Sequence, residues 1–404
     1  MYSKIINDPV YGFIQIKDPE IMQLISHPWI QRLRRIKQMG IAHYVYPGAV
    51  HTRFHHSLGA TYLMDRALEQ LQLKGIDISK AESIASKQAI LMHDIGHGPF
   101  SHALEHSIVQ NVSHEDISLY LMQKINEELN GKLDTTLEIF TNNYPKHFLH
   151  QLVSSQLDMD RMDYLNRDSF YTGVSEGVIG YDRILQMLTV HNDSLSIEEK
   201  GIHSVEKFIL ARRMMYWQVY LHKTVLGVEQ LIVKILQRAK ELANNKVELF
   251  AAPAFKLFLY EQLTGDDFKN NTQILEQFCI LDDSDISSAI KVWCQHSDVI
   301  LSTLCQMILN RKLYKVKMST NNLDEEYETE LNNYQFPIEI AEADKHYFLF
   351  KGSTTNRAYN QYDDLITIKM KDGSLKNISE VDNALINPFV TLPIKKHYYC
   401  KAVL

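Results

Sequence analysis

Histidine is concentrated in one window of this sequence. Of the 18 histidines in 404 residues, eight lie between residues 51 and 114, where even spacing would place about three. Imidazole binds transition metals and titrates near neutral pH, so this clustering is typical of metal or acid–base chemistry. The eight are His51, His55, His56, His93, His97, His102, His106 and His114.

The adjacent pair His93–Asp94 lies at the centre of this window, in the run HDIGHGPFSH. Such a pair at a helix end can place an imidazole nitrogen and a carboxylate oxygen on one cation. The glycines of the run remove side chains, so that substrate and backbone can approach closely. One pair does not hold a metal firmly, and two more ligands are needed. The candidates are His56 and an aspartate within residues 157–164.

Helices must carry these groups, because apolar residues recur at helical spacing through most of the first 240 positions. Ser57 is a candidate N-cap for one helix, and Ser79 with Glu82 forms a capping box for another. Pro28 is predicted to begin a second helix within the first stretch. The predicted helical stretches are 20–38, 57–73, 80–94, 114–130, 148–167 and Ser204 to about 240.

The last part of the sequence has a different pattern. The acidic, Asn-rich residues 321–333 predict a solvated linker or loop. Alternating runs at 346–350 and 365–370, the second followed by Asp372–Gly373, predict strands and a hairpin. We therefore predict a mainly α fold, an all-helical body with a small C-terminal α+β module. The predicted domains are a helical core (1–240), its helical extension (241–318) and the α+β module (319–404).

Composition limits the class of protein. Hydrophobic residues make up 45% and charged residues 23%, as in soluble globular proteins. No apolar run reaches the length of a transmembrane helix, and the N-terminus lacks the apolar region of a secretory signal, so no membrane partner is expected. The four cysteines have no C-x-x-C spacing and suit a reducing cytoplasm. The net charge of −7 argues against a nucleic-acid partner.

Four motifs carry a resemblance to a known family: HDIGHGPFSH at 93–102, INDPVYG at 6–12, QRLRRIKQMG at 31–40 and YPGA at 46–49. Together they resemble the HD-domain metal-dependent phosphohydrolases. Within that family they are most similar to the deoxynucleoside triphosphate triphosphohydrolases, including the sterile-alpha-motif/HD enzyme of animals. The resemblance covers residues 4 to about 230 closely and extends weakly to 282–316.

The resemblance implies a set of metal ligands, namely His56, His93, Asp94 and Asp160. Two imidazoles and two carboxylates suit one divalent ion such as Fe, Mn, Zn, Ni or Mg, and leave positions open for water and phosphate. An additional Mg ion is a further option.

Hydrolysis of a phosphate ester also needs a proton for the leaving oxygen. His102 and His114 match the family's histidines beside the scissile phosphate, and Glu115 is placed to orient His114. With Asp94 they form the predicted catalytic set. The alternative for either histidine is a hydrogen bond to a metal ligand without a catalytic role. His97 and His106 stay unassigned.

Helical spacing suggests a substrate wall. Positions 163/164 and 167/168 share a helix face with Asp160, so Tyr164 and Asp168 should line the same cleft. Arg212, Tyr216 and Tyr220 are spaced by four and form a similar set, unless they are an aromatic core stripe with a snorkelling arginine.

The resemblance adds roles to these positions. It implies sugar and base contacts for Tyr164 and Asp168, and phosphate binding for Arg161, where the family has Lys. It also places Arg53 near phosphate and Gln38 near the sugar, although Gln38 on an exposed helix face is the alternative. The family has His at the position of Tyr216.

A local basic run, Arg32 to Lys37, stands out in this acidic protein, although such runs are usually solvated faces. In nucleotide-activated family members this segment binds an activating nucleotide at a subunit interface. The matching residues here are Lys4, Asn7, Gln31 and Arg34. Ser26 stands where an aspartate that reads guanine is expected. The resemblance also implies a homo-oligomer, a dimer or tetramer.

The leading hypothesis is hydrolysis of a deoxynucleoside triphosphate to nucleoside and triphosphate, by attack of metal-bound water on the α-phosphorus. A nucleotide monophosphatase or phosphodiesterase is the enzymatic alternative, because a His/Asp metal site does not specify the ester. A non-catalytic nucleotide-binding regulator and a single-stranded nucleic-acid binder are alternatives from other classes.

Overall fold

A computed structural model gives the fold of the chain. The structure describes residues 3–100, 112–336, 338–357, 359–360, 364–381 and 392–403. The predicted catalytic His102, and His106, lie outside these ranges.

Helices dominate the first 250 residues, which confirms the predicted fold class. Those of this part are α1 Pro19–Ile25, α2 Pro28–Arg32, α3 Arg53–Leu73, α4 Lys80–Met92, α5 His114–Glu128, α6 Asp134–Phe140, α7 His147–Val153, α8 Met159–Thr172, α9 Tyr181–Met187, α10 Ile202–Met215 and α11 Lys223–Asn244. Shorter helices follow: α12 Pro253–Tyr260, α13 Gly265–Asn270, α14 Thr272–Ile280, α15 Asp283–Trp293, α16 Val299–Leu309 and α17 Asp324–Asn333.

Nine strands lie in the described residues: β1 Lys4–Asp8, β2 Gly12–Ile16, β3 Leu188–His191, β4 Ser194–Glu198, β5 Lys315–Ser319, β6 Leu349–Asn356, β7 Thr367–Lys369, β8 Leu375–Asn377 and β9 Ile394–Lys401. β1 and β2 form an antiparallel hairpin whose register joins Lys4 to Ile16 and Asp8 to Gly12. The other sheets have the strand orders β3-β4-β7-β8 and β5-β9-β6.

Local signals explain several helix ends. The Ser79 and Glu82 side chains form the predicted capping box of α4, and Pro28 does begin α2. The predicted cap at Ser57 is wrong, because Thr52 caps α3 and adds a turn before it. That turn carries Arg53 and His56 into the helix.

Two predicted helices are interrupted. The stretch 148–167 breaks before Asp158, whose side chain accepts the Arg161 N–H and caps α8. The stretch 204–240 breaks where α10 passes into a π-helix, Tyr216–Tyr220, and His222 caps α11. Apolar periodicity continues across both breaks, so it does not reveal them.

The tail is joined to the body by strand pairing. The β7–β8 hairpin turns at Gly373 as predicted, but β7 also pairs in parallel with β4 of the body. The predicted domain boundary at residue 318 falls within β5, which pairs with β9 of the predicted C-terminal module. The division of the chain into domains at this boundary stays a prediction. The predicted linker 321–333 is wrong, because it contains α17.

Two apolar cores support the candidate site. One packs the hairpin and α1 against α11 and the helices of residues 253–309, and the other packs α3 and α4 against α7 to α10. α3 contributes to both cores, so it is fixed from two sides. Within the described residues, no helix combines the length and apolar character needed to cross a bilayer.

Candidate active site

Three helices bring the metal-ligand candidates together. His56 lies in the first turn of α3, His93 caps the C-terminus of α4, and Asp160 lies in the first turn of α8. His56 Nε2 is 3.0 Å from Asp160 Oδ1, and His93 Nε2 is 3.4 Å from the same oxygen. The two Nε2 atoms are 3.4 Å apart.

The other nitrogen of each imidazole is already used. His56 Nδ1 donates to Asp163 Oδ2 at 2.7 Å, and His93 Nδ1 donates to the Ile90 carbonyl at 2.7 Å. These bonds fix the tautomers, so both Nε2 atoms present lone pairs towards Asp160. Two lone pairs and a carboxylate that face each other require a positive charge between them.

The donor set fits a divalent metal. Donors that share one ion at about 2.1 Å are about 3.0–3.4 Å apart, which matches the distances within this group. One donor atom each of His56, His93 and Asp160, called the metal group below, lies within 4.8 Å of the other two. Burial alone would lower the pKa of His56, but hydrogen bonds with Asp160 and Asp163 outweigh it and raise that pKa to about 10.

Asp94 lies beside this group. Its Oδ1 is 3.4 Å from His93 Nε2, and its Oδ2 is 3.8 Å from His56 Nε2. Arg53 Nη1 donates to Oδ2 at 2.5 Å, so the predicted phosphate-binding cation contacts the predicted fourth ligand. The positive groups around Asp94 outweigh its burial and hold its pKa well below the usual range.

Two further histidines lie next to Asp94. His97 Nε2 is 3.2 Å from Asp94 Oδ1, and the His114 ring stacks on His97 at 3.8 Å. Burial and the positive charge of Arg53 lower the pKa of His97 to about 3, so it is neutral at pH 7. Glu115 Oε1 lies 3.3 Å from His114 Nε2, as predicted for an orienting partner. His97, left unassigned by the sequence, thus joins the site.

Gly96 was expected to leave room for substrate or backbone, and the structure places the backbone of α5 beside it. Its amide donates to Ser118 Oγ at 2.9 Å, and that hydroxyl donates to the His93 carbonyl at 2.7 Å. A Cβ at position 96 would collide with the backbone of His114 and Ser118. The missing side chain therefore lets α5 pack closely and brings His114 to the metal group.

The residues for which the resemblance implies sugar and base contacts form a second cluster, centred on Asp168 of α8. Asp168 accepts hydrogen bonds from Tyr220 Oη to Oδ2 and from His51 Nε2 to Oδ1, both 2.7 Å long. The Tyr220 ring lies 6.1 Å from the Tyr164 ring and 5.3 Å from the Tyr216 ring. The structure thus brings Tyr164, Asp168, Tyr216 and Tyr220 together, with the Asp168 carboxylate held at both oxygens.

The other predicted substrate-binding residues include cations and two unpaired polar atoms. Arg161 Nε donates to Asp158 Oδ2 at 3.1 Å. Burial raises the pKa of Tyr164, against the nearby positive charges of Arg212 and Arg161. Arg212 Nε and Gln38 Oε1 are buried polar atoms for which the described residues provide no hydrogen-bond partner. A bound ligand would satisfy both atoms.

The four predicted activator residues lie on the N-terminal hairpin and around α2. Lys4 and Asn7 are exposed on β1, and Gln31 and Arg34 lie at α2 and just after it. Gln31 Nε2 donates to the Ile25 carbonyl at 2.6 Å, and Arg34 Nε donates to Gln31 Oε1 at 2.8 Å. Arg34 also stacks over the Phe54 ring at 3.7 Å.

Sequence reasoning missed His51 and the pair Asp163–Arg167. His51 was only one of eight clustered histidines, and its contact with Asp168 spans 117 residues. The i, i+4 spacing of Asp163 and Arg167 was visible, and their ion pair is present at 2.9 Å. Its attachment to His56 depends on how α3 packs against α8.

Comparisons with known proteins agree with this arrangement. The HD domain model matches residues 53–168, and a model of an HD-associated region matches residues 179–252. A crystal structure of a phosphohydrolase from Bacteroides thetaiotaomicron is 50% identical, covers 100% of both chains and has a TM-score of 0.92.

Two curated relatives extend the comparison. The uncharacterized protein YwfO of Bacillus subtilis is 34% identical over 368 residues, 89% of this chain and 82% of its own length. The deoxynucleoside triphosphate triphosphohydrolase SAMHD1 homolog of Dictyostelium discoideum is 31% identical over 266 residues. This chain covers 51% of that relative, about half its length. From the matched models, the relatives and the His/Asp site together, the chain belongs to the HD-domain phosphohydrolases.

Proposed function

We propose that this enzyme hydrolyses deoxynucleoside triphosphates to deoxynucleoside and triphosphate. One observation carries the proposal: α8 bears both the metal-ligand candidate Asp160 and the sugar-side residues Tyr164 and Asp168 on one face. At a rise of about 1.5 Å per residue, these lie about 6 and 12 Å along the helix from Asp160. That spacing suits a ligand with phosphate at one end and a sugar and base at the other.

The chain's own groups provide the binding functions. Arg53, which contacts Asp94, would bind phosphate oxygens close to the metal group. Arg161 and Arg212, whose charges act on Tyr164, would bind further phosphate oxygens. Asp168, oriented by His51 and Tyr220, would accept a hydrogen bond from a sugar hydroxyl. The unpaired Gln38 Oε1 would accept another.

The histidines beside Asp94, His97 and His114, would take part in proton transfer. A divalent cation held by His56, His93, Asp94 and Asp160 would act as a Lewis acid and lower the pKa of water. Glu115 Oε1 lies 3.3 Å from His114 Nε2 and would orient this imidazole, and His114 would donate a proton to the leaving oxygen. Neutral His97 lies between that ring and Asp94 and orients both.

The SAMHD1 relatives, named as deoxynucleoside triphosphate triphosphohydrolases, support this substrate class. We extend the proposal to a homo-oligomeric, cytoplasmic enzyme that binds an activating nucleotide at Lys4, Asn7, Gln31 and Arg34. A monophosphatase or phosphodiesterase is the alternative outcome of the test below.

The test is a substrate screen on metal-analysed protein with Mn²⁺ present. Deoxynucleoside and ribonucleoside triphosphates, monophosphates and cyclic nucleotides are each supplied, with and without a second nucleotide as activator. We expect inorganic triphosphate from at least one deoxynucleoside triphosphate, and its loss in Asp94→Ala. Asp182→Ala, which removes an exposed carboxylate paired with Arg66, is the matched control and should retain activity. Phosphate release from monophosphates alone would contradict the proposal.

A further inference from the structure

The N-terminal hairpin is connected to the metal group by a continuous set of buried contacts. Asp8, the last residue of β1, accepts the amide N–H groups of Val10 and Tyr11 at Oδ1, both at 2.9 Å. These turn amides fix the orientation of the carboxylate. Its other oxygen, Oδ2, accepts Arg167 Nη1 at 2.8 Å.

Arg167 continues the connection from the hairpin to α3. Its Nε and Nη2 donate to the two oxygens of Asp163, each at 2.9 Å. Asp163 Oδ2 in turn accepts His56 Nδ1 at 2.7 Å. The guanidinium therefore bridges two carboxylates, one on the hairpin and one bonded to a metal-ligand candidate.

These groups are removed from water. Arg167, Asp163 and His56 are 0% exposed, and Asp8 is 7% exposed. Interactions between buried charges are strong, and removal of one partner leaves the others uncompensated. Without the Asp8 charge, Arg167 would interact with Asp163 alone and draw electron density from it. Asp163 would then be a weaker acceptor for His56, and the lone pair at His56 Nε2 would be less basic.

The packing of α3 on α8 is also adapted to this network. A Cβ at Gly59 of α3 would collide with the Asp163 carboxylate and the Arg167 guanidinium. The absence of a side chain at this position thus makes room for the ion pair against the turn of α3 that follows His56. The network is therefore packed in place as well as hydrogen-bonded.

We infer that Asp8 is a positioning residue for the metal ligand His56 and acts on it through Arg167 and Asp163. The hairpin is then part of the metal site, although Asp8 is 48 positions before His56 in the sequence. This inference rests on the metal centre of the proposed function, but not on the identity of the substrate.

The test measures Mn²⁺ affinity by calorimetry on chelator-stripped protein. We expect Asp8→Asn to weaken Mn²⁺ binding about tenfold and Asp163→Asn about 10- to 100-fold. The double variant should bind no more weakly than Asp163→Asn alone, because Asp8 acts through Asp163. Asp18→Asn is the matched control: it breaks the partly buried Asp18–Lys87 ion pair just after β2, in which neither residue is a metal-ligand candidate.

The visible spectrum of the Co²⁺-loaded protein is a second measurement, because ligand orientation changes its bands and stability does not. Asp8→Asn should change this spectrum, and Asp18→Asn should leave it unchanged. If Asp8→Asn does not fold, Arg167→Lys replaces it, since lysine retains the charge but cannot span both carboxylates.

Wild-type affinity and spectrum in a folded Asp8→Asn or Arg167→Lys protein would overturn the inference. So would effects of Asp8→Asn and Asp163→Asn that simply add. Wild-type protein that binds no Mn²⁺ would overturn the metal centre and this inference together. Metal binding with the expected variant pattern, but no triphosphate release, would uphold this inference and contradict only the proposed substrate.

Discussion

The metal group and the four predicted activator residues, here called the activator face (Lys4, Asn7, Gln31 and Arg34), differ in how their polar side chains are held. At the metal group, His56 is fully buried and each imidazole has its second nitrogen bonded to a fixed acceptor. On the activator face, Lys4, Asn7 and Arg34 are exposed. There the bonds of Gln31 and Arg34 are local, within about ten residues.

The side chains of the metal group are therefore already ordered, whereas a ligand would have to order the side chains of the activator face. The donor atoms of the metal group are positioned by the packing of three helices, so little side-chain entropy remains to be lost on binding. Exposed side chains on the activator face would lose that entropy when a ligand binds. Substitutions should therefore have large effects at the metal group and small ones on the activator face.

The largest effect is expected for Asp160→Ala. It removes the carboxylate that lies within 3.4 Å of both Nε2 atoms, so bound metal should be lost and hydrolysis should fall at least about 1000-fold. Metal analysis and triphosphate release measure the two losses. Asp266→Ala, which removes an exposed carboxylate in α13, should change neither. Full metal content in Asp160→Ala would show that the ligands lie elsewhere.

His51→Phe should have the next largest effect. Phenylalanine can keep the stacking on Tyr171, where the ring centroids are 4.3 Å apart, but it cannot donate to Asp168. Loss of a hydrogen bond to a charged group costs about 1.5–3 kcal/mol. We expect KM for the deoxynucleotide to rise at least about tenfold with little change in kcat or metal content. Tyr171→Phe is the control, and a fall in kcat with bound metal would place His51 in the metal group instead.

Asp160 and His51 show which parts of the candidate site could be predicted from the sequence and which could not. His93 and Asp94 are adjacent, and Asp160, Tyr164 and Asp168 follow helical spacing, so residue type and periodicity were enough to group them. His51 and Asp8 could not be grouped in this way. Their contacts with Asp168 and Arg167 span 117 and 159 residues and exist only because of tertiary packing.

The fold shows the same limit. The mainly α class and the α4 capping box follow from local signals and are confirmed. The acidic residues 321–333 were predicted to be a linker because their charges suggested solvation. They form α17, which is stabilised by Lys351, Lys317 and Lys401 from three strands of one sheet. Those partners come from other parts of the chain, so composition alone gave the wrong answer.

A moderate, pH-dependent effect is expected for Glu82→Gln in α4, the helix that ends at His93. Burial raises the pKa of Glu82, but hydrogen bonds from Ser79, Lys146 and Tyr144 outweigh it and lower that pKa to about 2. A lowered pKa stabilises the folded state above the unfolded value of about 4.5, and this stabilisation is lost as pH falls towards 2.

Urea unfolding at pH 7 and pH 3 measures this contribution. At pH 7 we expect Glu82→Gln to lower the free energy of unfolding by about 1–2 kcal/mol, after allowance for solvent screening of Lys146. The difference from wild type should shrink at pH 3. Glu127→Gln, on the exposed face of α5, is the control. A difference of the same size at both pH values would mean that packing, not charge, is lost.

The smallest effect is expected for Arg34→Ala on the activator face. Its cation–π contact with Phe54 and its bond to Gln31 are solvent-exposed, so the free energy of unfolding should fall by less than about 1 kcal/mol. If this face binds an activating nucleotide, the nucleotide concentration for half-maximal activation should rise about threefold to tenfold. Lys312→Ala, which removes an exposed cation elsewhere, should leave that concentration unchanged. If Arg34→Ala leaves the nucleotide concentration for half-maximal activation unchanged, Arg34 only covers Phe54. The activator face would then be an ordinary surface, and the metal group would be compared with a surface instead of a second site.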